Sequence, residues 1–117
     1  MNYHKDLNVR KRSIELVKEV YQFISSFPKE ELFGLTGQIR RAAVSIPSNI
    51  AEGAARGSKK EFKQFLRISL GNVAELETQS IIAKELGMLD KQKFDMLGND
   101  IVAIRKMSIG LIRSLQL

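Results

Sequence analysis

Apolar residues return every three or four positions in four successive stretches of this chain, and the first three stretches end near a proline or a glycine. In the first, Ile14, Val17, Tyr21 and Ile24 form a stripe widened by Leu16, Val20 and Phe23. That spacing is the period of an amphipathic helix. The helix is expected to begin near Leu7 or Val9 and to stop before Pro28, which pushes the residue ahead of it out of the helical region. After the connection PKEELFGLTG, a second helix is predicted from Thr36 to Arg56, with Ile39, Ala43, Ile46, Ile50 and Ala54 as its core face. Pro47 lies inside it, at a cost of ~3 kcal/mol from a lost hydrogen bond and a clash, so a kink is expected. The alternative, a strand at Ala43–Ile46, has no partner strand elsewhere in the chain.

Gly57 followed by Ser58-Lys-Lys-Glu61 reads as a stop and a start. Ser58 can accept from the Glu61 amide while Glu61 reaches back to the Ser58 amide, a reciprocal capping box. The third helix then runs through Phe62, Phe65, Leu66, Ser69, Val73, Leu76, Ser80 and Ala83 to Leu86, where Gly87 suits the left-handed closing position. Asp90 is the expected N-cap of a fourth helix with Phe94, Leu97, Ile101, Ile104, Ser108, Leu111 and Leu115 inward. Helix, short loop and helix, repeated without strand signals, predict an all-α, antiparallel up-down-up-down four-helix bundle, with residues 1–117 as a single domain.

Two apolar strips have no use in a lone bundle: Val44, Ala51 and Ala55 on the second helix, and Val102 and Ile109 on the fourth. They predict a homo-oligomer. The polar stripe Arg41, Ser45, Glu52 and Arg56 runs beside the first strip and can pair across the same subunit boundary.

Chemistry is scarce. The chain has no cysteine and one histidine, His4, so no metal site or cofactor is expected. Glu75 and Glu77, two apart, point to different helix faces and do not form an acid–base pair. No histidine is placed to activate Ser45 or Ser48. Gly34-Leu-Thr-Gly37 echoes the GxxG clamp of an RNA-binding module but lacks that module's strands and reads as a loop. Phosphate-binding glycine motifs are absent. The expectation is a protein that is not an enzyme. Without cysteines, a signal-like N-terminus or a long apolar run, it is expected in the cytoplasm, with no membrane partner.

Charge is more informative. The net charge is +6, and all of the excess lies in the first 71 residues. Arg56, Lys60, Lys63 and Arg67 step by four, three and four, which places them on one ridge with Lys59 beside it; Arg10, Lys11 and Arg12 form a second cluster, and Arg40 and Arg41 a third. Such ridges contact phosphates without reading bases. With only Tyr3 and Tyr21 as tyrosines and no tryptophan, stacking platforms are few. The predicted function is phosphate-mediated binding of RNA or DNA through Arg10, Lys11, Arg12, Lys59, Lys60, Lys63 and Arg67. The alternative is a protein-interaction scaffold with incidental charge.

The segments FGLTGQIRRAAVSIPSNIAEGAARGSKKEF, FLRISLGNVAELETQ and AKELGML resemble the bacterial four-helix-bundle family of 23S ribosomal RNA intervening-sequence proteins. The resemblance spans Asp6 to Leu117 and is most specific at Arg40–Arg41, Ser45–Ile50 and Glu52–Gly53. That family is similar in fold to the accessory variability determinant of diversity-generating retroelements. The resemblance implies a homopentameric barrel with a basic surface, and a nucleic-acid role beside a reverse transcriptase. The number five comes from the resemblance alone. Arg10 departs from the family pattern, in which many members carry an aromatic residue.

Overall fold

A computed structural model of the chain describes residues 3–116, with side chains from Lys5 onward, so the side chains of Tyr3 and His4 lie outside the described part. Four helices account for most of it: α1 (Tyr3–Ile24), α2 (Leu35–Ala55), α3 (Lys59–Glu85) and α4 (Lys91–Ser114). A short 3-10 turn, Lys29–Glu31, lies within the first connection, and no strand occurs among the described residues. The helices close a square: α2 packs on α1 and α3, and α4 packs on the same two, while the backbones of the diagonal pairs stay further apart. The molecule measures 46 × 25 × 18 Å.

Residues from all four helices meet in one hydrophobic cluster, in which Phe62, Leu66, Ile46, Ile50, Ile104 and Leu111 have no exposed surface. Sequence periodicity placed these correctly on α2, α3 and α4. On α1 the face differs from expectation. Val9, Leu16, Val20, Phe23 and, as expected, Ile24 point inward, whereas Ile14 and Tyr21 remain 46% and 47% exposed. Both sets have helical spacing, because α1 is apolar over more than half its circumference. Periodicity alone does not decide which half turns inward.

The α2–α3 pair is drawn close by Gly53. A Cβ there would stand 2.6 Å from the Cβ of Phe65 and 3.1 Å from Cδ1 of Phe62. Two turns earlier the buried Ser69 hydroxyl donates to the Ile46 carbonyl at 3.1 Å, beside Pro47. α2 runs uninterrupted through that proline. The surrounding side chains bond back onto the backbone: Ser45 Oγ to the Arg41 carbonyl (2.7 Å), Ser48 Oγ to Val44 (2.9 Å) and Asn49 Nδ2 to Ser45 (2.9 Å). Hydroxyls and amides in the SIPSN segment thus contact carbonyls one turn back, around the position where proline removes a backbone donor.

Caps set the boundaries. Ser58 Oγ accepts from the Glu61 amide at 3.1 Å, as the capping box requires, but the Glu61 carboxylate meets the Ser58 hydroxyl at 3.0 Å. Ser58→Ala is expected to lower unfolding stability by about 0.5–2 kcal/mol in urea titrations. Asp90 caps α4 through the Lys93 amide at 2.8 Å. At the end of α3, Gly87 (φ 76°) allows the Met88 amide to reach the Ala83 carbonyl and its own amide to reach Lys84, a Schellman closure. The Gly34–Gly37 segment is a helix start: Gly34 is the N-cap of α2, and Gly37 is buried in its first turn.

Candidate nucleic-acid interface

Lys59, Lys60, Lys63 and Arg67 occupy the first three turns of α3, flanking the stripe of core residues Phe62, Leu66 and Ser69. Lys59, Lys60 and Arg67 are exposed, and Lys63 is half-buried. None of the four takes part in an ion pair or a side-chain hydrogen bond among the described residues. Their charge is therefore uncompensated at short range. Arg56, the first member of the predicted ridge, differs. It pairs with Glu52 at 3.1 Å and Glu61 at 3.8 Å and lies 5.0 Å above the Phe65 ring. This arginine clasps the α2–α3 junction.

The N-terminal cluster divides in the same way. Arg10 is held by the buried Asp6 at 3.0 Å, and Arg12 reaches across to Asp100 on α4 at 2.8 Å. Lys11 between them is exposed and unpaired. Arg40 and Arg41 likewise have no ionic partner among the described residues. The seven cations predicted to meet phosphate thus fall into five free ones and two, Arg10 and Arg12, whose charge is already balanced. Arg12 and Asp100 are 88 positions apart, so nothing in the local sequence signals the pairing.

A family model for the 23S rRNA-intervening sequence protein matches residues 5–110. The chain belongs to this family. Among solved structures, a protein of unknown function from the S23 ribosomal protein family of Bacteroides thetaiotaomicron VPI-5482 superposes with a TM-score of 0.83 at 26% identity. The likeness covers 93% of this chain and 98% of the other. No curated protein matches the chain.

In this family member the predicted contact strips are exposed as expected for Val44 (39%), Val102 (44%) and Ile109 (37%), while Ala51 is half-buried and Ala55 exposed. Ile14 and Tyr21 add apolar surface that periodicity had assigned to the core. Arg41 and Ser45 line a groove between α2 and α3, and Glu52 is taken up by Arg56. No described helix is long and apolar enough to cross a membrane.

The α1–α4 seam holds a perturbed carboxyl, Glu19, that sequence reading missed. Oε2 of Glu19 is buried with no donor facing it. It and the neighbouring Asp100 carboxylate can bond each other only through a shared proton. That hydrogen bond, then partial burial and the charge of Asp100, raise the Glu19 pKa from 4.5 to about 7, against the opposing pull of Arg12. A carboxyl whose pKa is raised on folding contributes stability that is fully present below 4.5 and is lost as pH rises through about 7. Glu19→Gln keeps a donor toward Asp100 without the charge. It is expected to flatten the stability profile between pH 5 and pH 8 and to gain on the order of 1 kcal/mol at pH 8, read from urea midpoints.

Proposed function

We propose that the protein is a non-enzymatic, homo-oligomeric bundle that holds structured RNA or DNA by its phosphates. The observation that carries this reading is the row of unpaired cations Lys59, Lys60, Lys63 and Arg67. The contacts between helices add a second support. Ile46 meets Ser69 while Gly53 faces Phe62, and Glu77 meets Arg105 while Lys84 lies over Phe94. Partners whose numbers run in opposite senses favour helices that alternate in direction, up-down-up-down. With that alternation, the start of α1, the α2–α3 junction and the end of α4 share one end of the bundle. Residues 5–14, 49–67 and 108–116 hold ten lysines and arginines against three carboxylates, which exceeds the net charge of the whole chain. The rest of the bundle is slightly acidic, so the molecule is polarised along its length.

The family takes its name from an intervening sequence of 23S rRNA, which makes structured RNA the first ligand to test. The likeness in fold to the retroelement accessory protein makes a reverse transcriptase the protein partner to test, with an RNA–DNA hybrid among the ligands. In a titration of purified protein with hairpin RNA, duplex DNA and the hybrid at two salt concentrations, all three are expected to bind. Affinity should fall steeply with salt as condensed counterions are released. Absence of binding at low salt would transfer the reading to a protein-interaction scaffold, which the exposed apolar strips favour.

Those strips also support the assembly. Tyr21 shares a groove with Arg40, and Val44 lies one turn beyond, which sets Tyr21, Val44 and Ala51 along the α1–α2 side, while Ile14 lines a groove with Met107 of α4. Arg105 pairs with Glu77, so Val102 and Ile109, on either side of Arg105, lie along the α3–α4 side near Ile81. Two different apolar faces on opposite sides of a square bundle suit head-to-tail contact, which closes into a ring when the rotation permits. Five subunits is the number the family resemblance implies. Ala51→Trp is expected to convert the assembly to monomers in light scattering while leaving the helical circular dichroism signal intact; a monomeric native protein at micromolar concentration would sink the idea.

A further inference from the structure

The α2–α3 side of the square carries a groove of about 300 Å³, at the lower edge of the ~300–1,000 Å³ usual for small-ligand sites. Gln38, Arg41 and Ser45 face it from one helix, and Asn72, Glu75 and Gln79 from the other. Both sets step by three and then four, so two polar rows oppose each other across the seam. Gln79 is only 9% exposed, and its Oε1 is buried without a hydrogen-bond partner. Ser45 spends its proton on the Arg41 carbonyl, and Asn72 directs its amide NH₂ at the Ile68 carbonyl, at 3.2 Å. Their oxygens keep acceptor capacity. Arg41 and Glu75 both line the groove, yet neither forms an ion pair with the other or with any described side chain.

We infer that this groove accepts a single unstacked guanine base. The ligand must present adjacent N–H donors to an acceptor-rich wall and acceptors to a guanidinium. Guanine does both: N1–H and the N2 amino group match the two oxygens of the Glu75 carboxylate, and O6 and N7 suit Arg41. A second N2–H remains for the orphaned Gln79 oxygen. Adenine would set a lone pair against the carboxylate, and uracil would flank its one donor with two carbonyls. The inference rests on the nucleic-acid reading only for the source of the base, a guanine splayed from a loop or single strand. It adds base preference to a surface otherwise limited to phosphates.

The test is calorimetric titration of the full-length protein with guanosine, inosine and adenosine 5′-monophosphates, which share one phosphate and differ in the base. The guanine nucleotide is expected to bind, the inosine nucleotide, lacking the N2 amino group, to bind more weakly, and the adenine nucleotide not to bind. Glu75→Gln, at an exposed position, should weaken guanine binding by about tenfold to a hundredfold, and Arg41→Gln should weaken it as well. Equal binding of all three nucleotides, no binding of any, or guanine affinity unchanged in Glu75→Gln overturns the assignment. So does displacement of the guanine nucleotide by spermidine at equal concentration, which would mark the groove as a cation site. The two readings fail separately. Nucleotide binding that survives Lys60→Glu/Lys63→Glu/Arg67→Glu, without salt-dependent RNA binding by the native protein, removes the ridge and leaves the pocket. Salt-dependent RNA binding without nucleotide selectivity removes the pocket and leaves the ridge.

Discussion

Replacing Gly53 with alanine is expected to destabilise the protein by about 1–3 kcal/mol, while the same replacement at Gly71 stabilises it by about 0.5–1 kcal/mol. Both glycines sit inside helices, where alanine is intrinsically preferred because it loses less backbone freedom on folding. Gly71 is exposed, and a Cβ added there meets nothing within 4 Å, so only the intrinsic gain remains. At Gly53 the new Cβ would lie 2.6 Å from the Phe65 Cβ and 3.4 Å from the Phe62 carbonyl oxygen. A Cβ and a carbonyl do not swing aside as the end of a long side chain does. The α2 and α3 backbones must separate, and that loosens Phe62, which is fully buried. The overpacking penalty outweighs the propensity gain. Urea unfolding of the two variants should show midpoints displaced in opposite directions. A stabilising Gly53→Ala would mean that α2 and α3 do not approach as closely as described.

Reversing three charges at once, in Lys60→Glu/Lys63→Glu/Arg67→Glu, is expected to weaken hairpin RNA, duplex DNA and hybrid binding together, by roughly a hundredfold or more near 0.1 M salt. These side chains have no ionic partners to lose, so the variant should keep its fold. It also places repulsive charge where phosphate would lie, and a ring would repeat that change in every subunit. The slope of log affinity against log salt should become shallower by about one for each phosphate contact removed. A parallel reversal of Arg10 and Arg12 is expected to affect binding less, because Asp6 and Asp100 already balance those cations. Native affinity and an unchanged salt slope in the triple variant would move the contact surface elsewhere.

Local chemistry determined much of this protein. The 3.6-residue period, Pro28, the Ser58 and Asp90 caps and Gly87 specify four helices and most of their ends, because these signals act within a turn or two of backbone. The ridge at the start of α3 is equally local, since positions three and four apart share a helix face. What the sequence alone could not decide depends on which face meets which neighbour. α1 is apolar widely enough that Ile14 and Tyr21 compete with Leu16 and Val20 for the interior, and only packing against α2 and α4 turns the latter inward. The pairing of Arg12 with Asp100, the Glu19 carboxyl with its raised pKa beside it, and the groove between Arg41 and Glu75 each join different helices. Charge counts rank all cations alike. Whether a given cation is free for phosphate or spent on a carboxylate follows from three-dimensional proximity, because electrostatic and hydrogen-bond energies depend on separation in space and are blind to separation along the chain.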